Sequence, residues 1–131
     1  MLVDTHAHLD SVQFDGDREG VIARALAAGV GAMVTVGTDL DSSRQAIALT
    51  KKYPQVYASL GIHPHETAQA GPDALAELER LSREDAVVAI GETGLDFYRN
   101  WSPREKQREL FIAQLELARH INKPVVIHDR E

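Results

Sequence analysis

The fold is indicated most clearly by residues 86–96, which have the sequence AVVAIGETGLD. The apolar residues that precede Gly91 form a continuous run and do not alternate with polar ones. Continuous apolar runs of this length are typical of parallel strands that are covered on both faces. The stretch therefore predicts a buried parallel strand over Ala86–Gly91, followed directly by a carboxylate at Glu92.

Similar short apolar runs occur elsewhere in the chain and predict four further strands. They lie at Leu2–His6, Ala32–Val36, Val56–Leu60 and Val125–His128. Strand centres recur about every 30 residues, the length of one strand-and-helix unit, so we expect an α/β fold with a largely parallel sheet. This spacing does not separate a closed barrel from an open sheet. A complete eight-stranded barrel needs roughly 250 residues, whereas the chain has 131.

Segments of helical period fill the intervals between the predicted strands. The helices are expected from about Asp17 to Ala28, from about Asp41 to the residue before Tyr53-Pro54, over Pro72–Leu81, and from Pro103 onward. For the last helix we predict Ser102 as the N-cap and Glu105 as the second half of a capping box. The apolar face of that helix is predicted to be Phe111, Leu115 and Ala118.

Composition restricts the chemistry that the chain can perform. Hydrophobic residues make up 44% and charged residues 26%, which is typical of a globular domain. The absence of cysteine excludes disulfides, thiolate nucleophiles and cysteine-based metal sites, so a metal would need histidine and carboxylate ligands. The net charge of −6 argues against a broad basic surface that coats duplex DNA. Without a signal-like or membrane-spanning run, we expect a cytoplasmic protein with no membrane partner.

Two histidines at the end of the first predicted strand are the strongest functional signal. Side chains two residues apart on a strand point to the same side, so His6 and His8 can converge on one metal ion. Paired imidazoles suit Zn²⁺, Mn²⁺ or Fe²⁺, and a carboxylate-rich site also admits Mg²⁺. Asp4 shares that face, and we expect it to orient one imidazole. Taken alone, the pair is also compatible with a polar, solvated strand end.

Metal-binding residue types also follow the fourth and fifth predicted strands. Glu92 comes directly after the apolar run of the fourth strand, and His128 ends the fifth. The carboxyl ends of parallel strands form one functional rim in α/β folds. We therefore expect these two residues to meet His6 and His8 at a metal site. The alternative is that each one is a helix cap or a buried, satisfied polar group.

Residues in two further rim loops are candidates for contact with substrate. His63 and His65 flank Pro64 after the third strand, where they could bind a phosphate oxygen or transfer a proton; the alternative is a pair of plain loop histidines. In the loop that follows Glu92, we expect Arg99 to clamp an anionic substrate and Tyr98 to stack on a base, with Asp96 beside them. An Asp96–Arg99 salt bridge is the equal alternative. We expect His120 to be a surface or packing residue of the last helix.

These residues together resemble the TatD-type metal-dependent hydrolases of the amidohydrolase superfamily. The resemblance is carried by VDTHAHLD (residues 3–10), GIHPH (61–65), GETGLDFYR (91–99) and PVVIHDRE (124–131), in order and across the whole chain. It implies a (β/α)₈ TIM-type barrel, of which residues 1–131 would be the N-terminal part, with about the first five strands and four helices. It also implies two divalent cations (Mg²⁺, Zn²⁺ or Mn²⁺) and deoxyribonuclease activity, including 3′→5′ exonuclease action on single strands.

The resemblance assigns roles to individual residues. His6 and His8 would bind the first metal, Glu92 would bridge both metals, and His128 would bind the second. His63 would lie close to the metals and act with Glu92 in catalysis, and the oligonucleotide substrate would contact His63, His65, Asp96, Tyr98 and Arg99. The family's two remaining ligands, a histidine after strand six and an aspartate after strand eight, have no counterpart in residues 1–131.

Three interpretations of function stay open at this point. The metal centre is expected to cleave phosphodiester bonds of DNA, but the same centre could instead hydrolyse another ester or an amide. The chain could also be an inactive half-barrel fragment or interaction module, because its sequence ends directly after a strand with no helix to cover it. Because the family's aspartate after strand eight, a candidate general base, has no counterpart here, we expect the 131 residues alone to cleave DNA far more slowly than a longer form. The sequence does not predict an oligomeric state.

Overall fold

The computed structural model describes all residues from Met1 to Glu131. Five strands form one sheet in the order β1-β2-β3-β4-β5, and every neighbouring pair is parallel. The strands are β1 (Leu2–Ala7), β2 (Val30–Val36), β3 (Val56–Leu60), β4 (Val87–Asp96) and β5 (Val125–Arg130). Strands that are consecutive in sequence are therefore neighbours in space, as in a singly wound sheet that curls toward a barrel. The predicted order of strands and helices is confirmed.

Four helices connect the strands, and two short 3₁₀ segments accompany them. The helices are α1 (Arg18–Ala27), α2 (Leu40–Lys52), α3 (Ala74–Leu81) and α4 (Arg104–His120). The 3₁₀ segments cover Val12–Phe14 and Pro64–Gln69. None of the helices is long and apolar enough to cross a membrane.

The main core lies between the outer helices and the middle of the sheet. Its central side chains are fully buried and come from different elements, among them Leu60 of β3, Leu78 of α3 and Ile90 of β4. Burying a side chain of this size stabilises the fold by about 1.5–3 kcal/mol. The middle strands β3 and β4 are largely buried, whereas β1 at one edge of the sheet is mostly exposed. The continuous apolar run of β4 is thus explained by its central place in the sheet.

The predicted end of the fourth strand at Gly91 is wrong. β4 continues through Glu92 to Asp96 and pairs with β5, which also runs past its predicted end at His128, to Arg130. Gly94 of β4 lies opposite His128 of β5. Gly91 and Gly94 have φ angles of 143° and 146°, which other residues rarely adopt. A Cβ on Gly94 would lie 1.9 Å from the His128 carbonyl oxygen. The glycines therefore allow close contact between the two strands and do not end β4.

The predicted start of the last helix also needs correction. Pro103 is the N-cap of α4, and no side-chain cap or capping box is formed. The hydroxyl of Ser102 instead donates to the His65 carbonyl and accepts a hydrogen bond from the Ala68 N–H. Because the buried Ser102 hydroxyl makes these two hydrogen bonds with the 3₁₀ segment that carries His65, it does not cap the N-terminus of α4.

Candidate metal centre

Imidazoles from three strand ends surround one carboxylate at the carboxyl edge of the sheet. Glu92 of β4 lies at the centre, with His6 of β1, His8 just after β1, His63 just after β3 and His128 of β5 around it. Parallel strands bring these side chains together because they all end at the same edge. The structure thus places together the candidate ligands that the sequence pointed to.

The two oxygens of Glu92 face different pairs of imidazoles. Its Oε2 lies 3.3 Å from His6 Nε2 and 3.8 Å from His8 Nε2. Its Oε1 lies 2.9 Å from His128 Nδ1 and 3.7 Å from His63 Nε2. Glu92 is only 7% exposed, so its carboxylate is held among these rings with little access to bulk water. Each oxygen of the Glu92 carboxylate thus faces its own pair of imidazole nitrogens.

The His6 and His8 side of the site is open to solvent and is oriented from the backbone. Both imidazoles are partly exposed, and their rings lie 5.1 Å apart at 76°. His8 Nδ1 lies 2.8 Å from the Val36 carbonyl oxygen. Because a carbonyl can only accept, Nδ1 carries the proton and Nε2 keeps its lone pair toward Glu92. This is the second N–H contact that metal-binding histidines usually make.

The expectation that Asp4 orients an imidazole is wrong. Asp4 Oδ1 accepts a hydrogen bond from the backbone N–H of His6 at 3.1 Å. The partner that orients a ring on this side is the Val36 carbonyl at the end of β2, which the sequence pattern did not identify. Backbone acceptors leave no residue signature, so only the fold reveals this contact.

His128 connects Glu92 to a buried aspartate behind it. His128 Nε2 lies 2.9 Å from Asp96 Oδ2, and His65 Nε2 lies 2.8 Å from the same oxygen. A carboxylate accepts, so both imidazoles donate through Nε2 and His128 Nδ1 keeps a lone pair. That lone pair lies 2.9 Å from Glu92 Oε1. Two electron-rich atoms at this distance require a proton or a cation between them.

His63 differs from His8 and His128 because it presents an N–H, and not a lone pair, to Glu92. Its Nδ1 accepts the backbone N–H of His65 at 3.1 Å, so the neutral ring carries its proton on Nε2. Burial lowers the pKa of His63 to about 4, with His128 and His65 acting in the same direction against the raising effect of Glu92. His63 is therefore neutral at physiological pH and directs an N–H toward Glu92 and His128.

Asp96 is a fully buried acceptor that faces the histidines. Although burial by itself raises the pKa of Asp96, hydrogen bonds from the Arg99 backbone N–H, His128 and His65 hold it below its ordinary value. The alternative salt bridge between Asp96 and the Arg99 guanidinium is not formed, since only the backbone N–H of Arg99 donates to Asp96 Oδ1, at 2.9 Å. Asp96 thus lies behind the imidazoles, on the side away from solvent.

The donor set fits divalent cations. Three groups of residues have candidate ligand atoms within 4.8 Å of one another: His6, His8 and Glu92; His63, Glu92 and His128; and His65, Asp96 and His128. With Nε2 of His63, His65 and His128 protonated as assigned above, the imidazole lone pairs shown to be free for a cation are those of His8 Nε2 and His128 Nδ1. Ligand bonds of about 2.0–2.2 Å in tetrahedral geometry place two ligand atoms about 3.4 Å apart, close to the 3.3 and 3.8 Å between Glu92 Oε2 and the two imidazoles. Neutral imidazole with carboxylate suits Zn²⁺ or Mn²⁺ and admits Mg²⁺.

Exposed aromatic and basic side chains of the β4–α4 loop border this site. Tyr98 and Arg99 are exposed, and their contact with a substrate stays a prediction. Trp101, which sequence analysis did not single out, lies with its ring 4.4 Å from the His65 ring. It is the only tryptophan of the chain and follows Arg99 closely, which was the available signal. His120 is exposed at the far end of α4, away from the metal-type residues, as predicted.

Comparison with protein families gives one match that extends over nearly the whole chain. The family described as "TatD related DNase" matches residues 3–131. The 3′-5′ ssDNA/RNA exonuclease TatD of Salmonella typhimurium is 41% identical over 130 residues, which are 99% of this chain and 50% of that protein. An uncharacterized metal-dependent hydrolase of Bacillus subtilis, YabD, is 42% identical over 131 residues, with 51% of its length covered. The chain thus spans about half the length of these curated relatives.

Solved structures show the same fold over the same fraction of the chain. YjjV, a TatD homolog from Escherichia coli K12, aligns with a TM-score of 0.92 and 36% identity, covering 99% of this chain and 51% of that one. A TatD-family hydrolase from Entamoeba histolytica aligns with a TM-score of 0.91 and 27% identity. The likeness confirms the predicted barrel type, of which these residues form a curled half with five parallel strands.

Proposed function

The chain belongs to the TatD-related DNase family, and from this premise we propose that it carries the metal-binding half of the active site of a nuclease. The reaction is hydrolysis of phosphodiester bonds in nucleic acid. The names of the relatives support this activity, since one is a 3′-5′ ssDNA/RNA exonuclease and another a metal-dependent hydrolase. The proposed substrate is accordingly a single strand of DNA or RNA, attacked from its 3′ end.

The observation that carries the proposal is the position of Glu92 between two sets of imidazoles. We propose that these residues would hold two divalent cations, with His6 and His8 beside Glu92 Oε2 as ligands of one and His128 beside Glu92 Oε1 as a ligand of the other. When bound, such a pair of cations supplies an activated water and neutralises charge on a phosphate. Nδ1 of His128, whose lone pair lies 2.9 Å from Glu92 Oε1, is the ligand atom that His128 would offer to a cation.

The remaining residues of the site hold and orient the phosphate. The Nε2–H of His63 faces His128 Nδ1 at 3.3 Å and Glu92 Oε1 at 3.7 Å, and it would be left for a phosphate oxygen when a cation binds those two atoms. The His63 ring is neutral, with its pKa at about 4, and its Nδ1 is already occupied. Hydrogen-bond donors fixed in this way stabilise the charge that develops on the oxygens during attack. Arg99 is exposed beside the site, where its guanidinium can bind a second phosphate of the strand.

The proposal is tested first by metal binding. Calorimetric titration of the purified chain with Mn²⁺ and Zn²⁺ should show binding that is strongly weakened in Glu92→Gln, because the amide is neutral and offers one oxygen in place of two. Removing an outer partner of a metal ligand typically weakens affinity 10–100-fold, so loss of the Glu92 carboxylate should weaken it by at least about 100-fold. His120→Gln is the matched control, since His120 is exposed and distant from the site. Unchanged affinity in Glu92→Gln would contradict the ligand assignment.

Turnover tests the substrate class. A single-stranded oligonucleotide labelled at its 5′ end should shorten progressively from the 3′ end in a reaction that needs the added cation and Glu92. Cleavage of model carboxylic esters in place of the oligonucleotide would point to a different bond for the same metal centre. The metal titration and the cleavage assay therefore test the ligands and the substrate separately.

A further inference from the structure

We propose that Trp101, together with Tyr98, stacks on a nucleobase of the strand whose phosphate is bound at Glu92. This inference rests on the proposed nuclease function and adds a base-binding subsite to it. We call Tyr98, Arg99, Trp101 and Arg130 the aromatic platform. Stacking of bases on aromatic side chains tolerates any sequence, because every base has a π-face. The subsite would thus hold single strands without selecting a sequence.

Solvent exposure is the first observation in favour of a ligand on this platform. Trp101 is 63% exposed and Tyr98 is 59% exposed. Large aromatic rings contribute most to stability when they are buried, and these two contribute little burial to the core. Two such rings within one short loop next to a polar site form a surface that a flat, partly apolar ligand can cover.

The platform is adjacent to the metal-type residues. The Trp101 ring lies 4.4 Å from the His65 ring, and the His65 ring lies 5.8 Å from the ring of His128. His128 in turn contacts Glu92. A strand advances about 3.4 Å per stacked nucleotide. The distances from Trp101 to His65 and from His65 to His128 together correspond to a few nucleotides, so one short strand can place a phosphate at the metal site and a base on Trp101.

The loop that carries Trp101 is anchored on its C-terminal side. Ser102, the residue after Trp101, is buried; its hydroxyl donates to the His65 carbonyl and accepts from the Ala68 N–H. The buried Gln107 amide donates to the Ser102 carbonyl at 2.8 Å. These contacts tie the backbone beside Trp101 to the segment of His65. A ring presented in this way loses little conformational freedom when it stacks on a ligand.

Guanidinium groups supply the charge that a nucleic acid strand requires. The Arg99 guanidinium lies 5.4 Å from the Tyr98 ring centre and 5.5 Å from that of Trp101, and that of Arg130 lies 5.7 Å from the Tyr98 ring. Arginines that pack on aromatic rings keep donors free for phosphate oxygens. Although the net charge of the chain is −6, guanidinium groups and exposed aromatic rings lie together on this platform. The guanidinium groups can bind the phosphates of a single strand, and the rings can stack on its bases.

The experiment compares two single-stranded pentanucleotides that carry the same phosphates, one of thymidine and one without bases. Binding is measured by fluorescence anisotropy of a labelled strand, in the cold and with Mn²⁺, over a time in which gels show the strands intact. Since Trp101 is the only tryptophan, its emission reports on the subsite directly. The thymidine strand should quench this emission and the abasic strand should not. Trp101→Ala should weaken binding of the thymidine strand by about tenfold or more, and leave binding of the abasic strand unchanged.

The matched variant is Trp101→Phe, which keeps a stacking ring and should retain most of the affinity. Mn²⁺ affinity should be the same in the wild type and both variants; its loss in Trp101→Ala would assign the ring to support of the metal site and overturn the inference. Equal binding of the thymidine strand by the wild type and Trp101→Ala would also overturn the inference and leave the nuclease proposal standing. If the wild type binds neither strand, the proposed substrate class itself fails, and the stacking inference with it.

Discussion

The side-chain amide of Gln114 forms both hydrogen bonds of a peptide group with Ile62, the residue that precedes His63. Gln114 Oε1 accepts the Ile62 N–H at 2.8 Å, and Gln114 Nε2 donates to the Ile62 carbonyl at 3.1 Å. Both residues are buried. Gln107, two helical turns earlier on α4, makes the same pair of contacts with the N–H and carbonyl of Asp96. Two amides on one helix therefore position the two rim segments that carry His63 and Asp96.

Gln114→Met should destabilise the protein. It should also weaken metal binding, because the segment that Gln114 holds places the His63 ring against the ligands Glu92 and His128. The thioether fills a similar volume but leaves the buried N–H and carbonyl of Ile62 without partners, which costs roughly 2–4 kcal/mol in unfolding free energy. Urea unfolding gives that free energy, and Mn²⁺ titration gives the affinity. Gln45→Met on the exposed surface of α2 is the control. Wild-type stability in Gln114→Met would show that the amide does not hold this segment.

Gly94→Ala should separate β4 from β5 and disturb His128. An added Cβ would lie 1.9 Å from the His128 carbonyl oxygen, and the φ angle of 146° is unfavourable for alanine. The overlap is with backbone and not with a flexible side chain, so we expect a loss of stability of about 3 kcal/mol or more. The matched control is Gly71→Ala, where the new methyl group meets nothing within 4 Å. Equal melting temperatures of the two variants would contradict the strand contact.

The sequence identified the candidate ligands because strand geometry is local. His6 and His8 are two residues apart, so strand geometry turns them to the same side. Glu92 and His128 follow apolar runs whose carboxyl ends share an edge, so the meeting of the four residues follows from pattern and fold class. The length of β4 could not be predicted, since a glycine in such a stretch normally indicates a turn. Gly94 instead accommodates the backbone of His128, which lies 34 positions away in sequence. The role of Ser102 was missed for the same reason: its partners come from the segment after β3.

Stability at low pH should depend on Glu77, which links α3 to α2. Hydrogen bonds from Arg80 first, then Arg44, lower the pKa of Glu77 to about 2. When folding lowers the pKa of a carboxyl group, that group stabilises the folded protein at every pH above its unfolded-state pKa. The contribution is lost as the pH falls through the folded-state pKa. Stability should therefore decline between about pH 4.5 and 2, and Glu77→Gln should make this decline smaller. Urea unfolding at pH 7 and pH 3 measures the difference.

The control for the acid series is Glu116→Gln, which removes an exposed carboxylate of α4. It should leave the decline as it is in the wild type. If Glu77→Gln and Glu116→Gln have the same pH dependence as the wild type, the ion pairs of Glu77 with Arg80 and Arg44 do not contribute to stability.

Asp96→Asn should weaken metal binding although Asp96 is not expected to contact the cation that Glu92 shares with His128. The carboxylate accepts from both His128 Nε2 and His65 Nε2, at 2.9 and 2.8 Å, and so holds the His128 lone pair toward Glu92. An amide offers one oxygen in place of two and an N–H that opposes the imidazole N–H groups. Loss of such an outer partner lowers affinity by about 10–100-fold. Asp129→Asn is the matched control, because Asp129 lies on the same strand as His128 but is exposed. Mn²⁺ titration of both variants decides: equal affinities would mean that Asp96 does not orient His128.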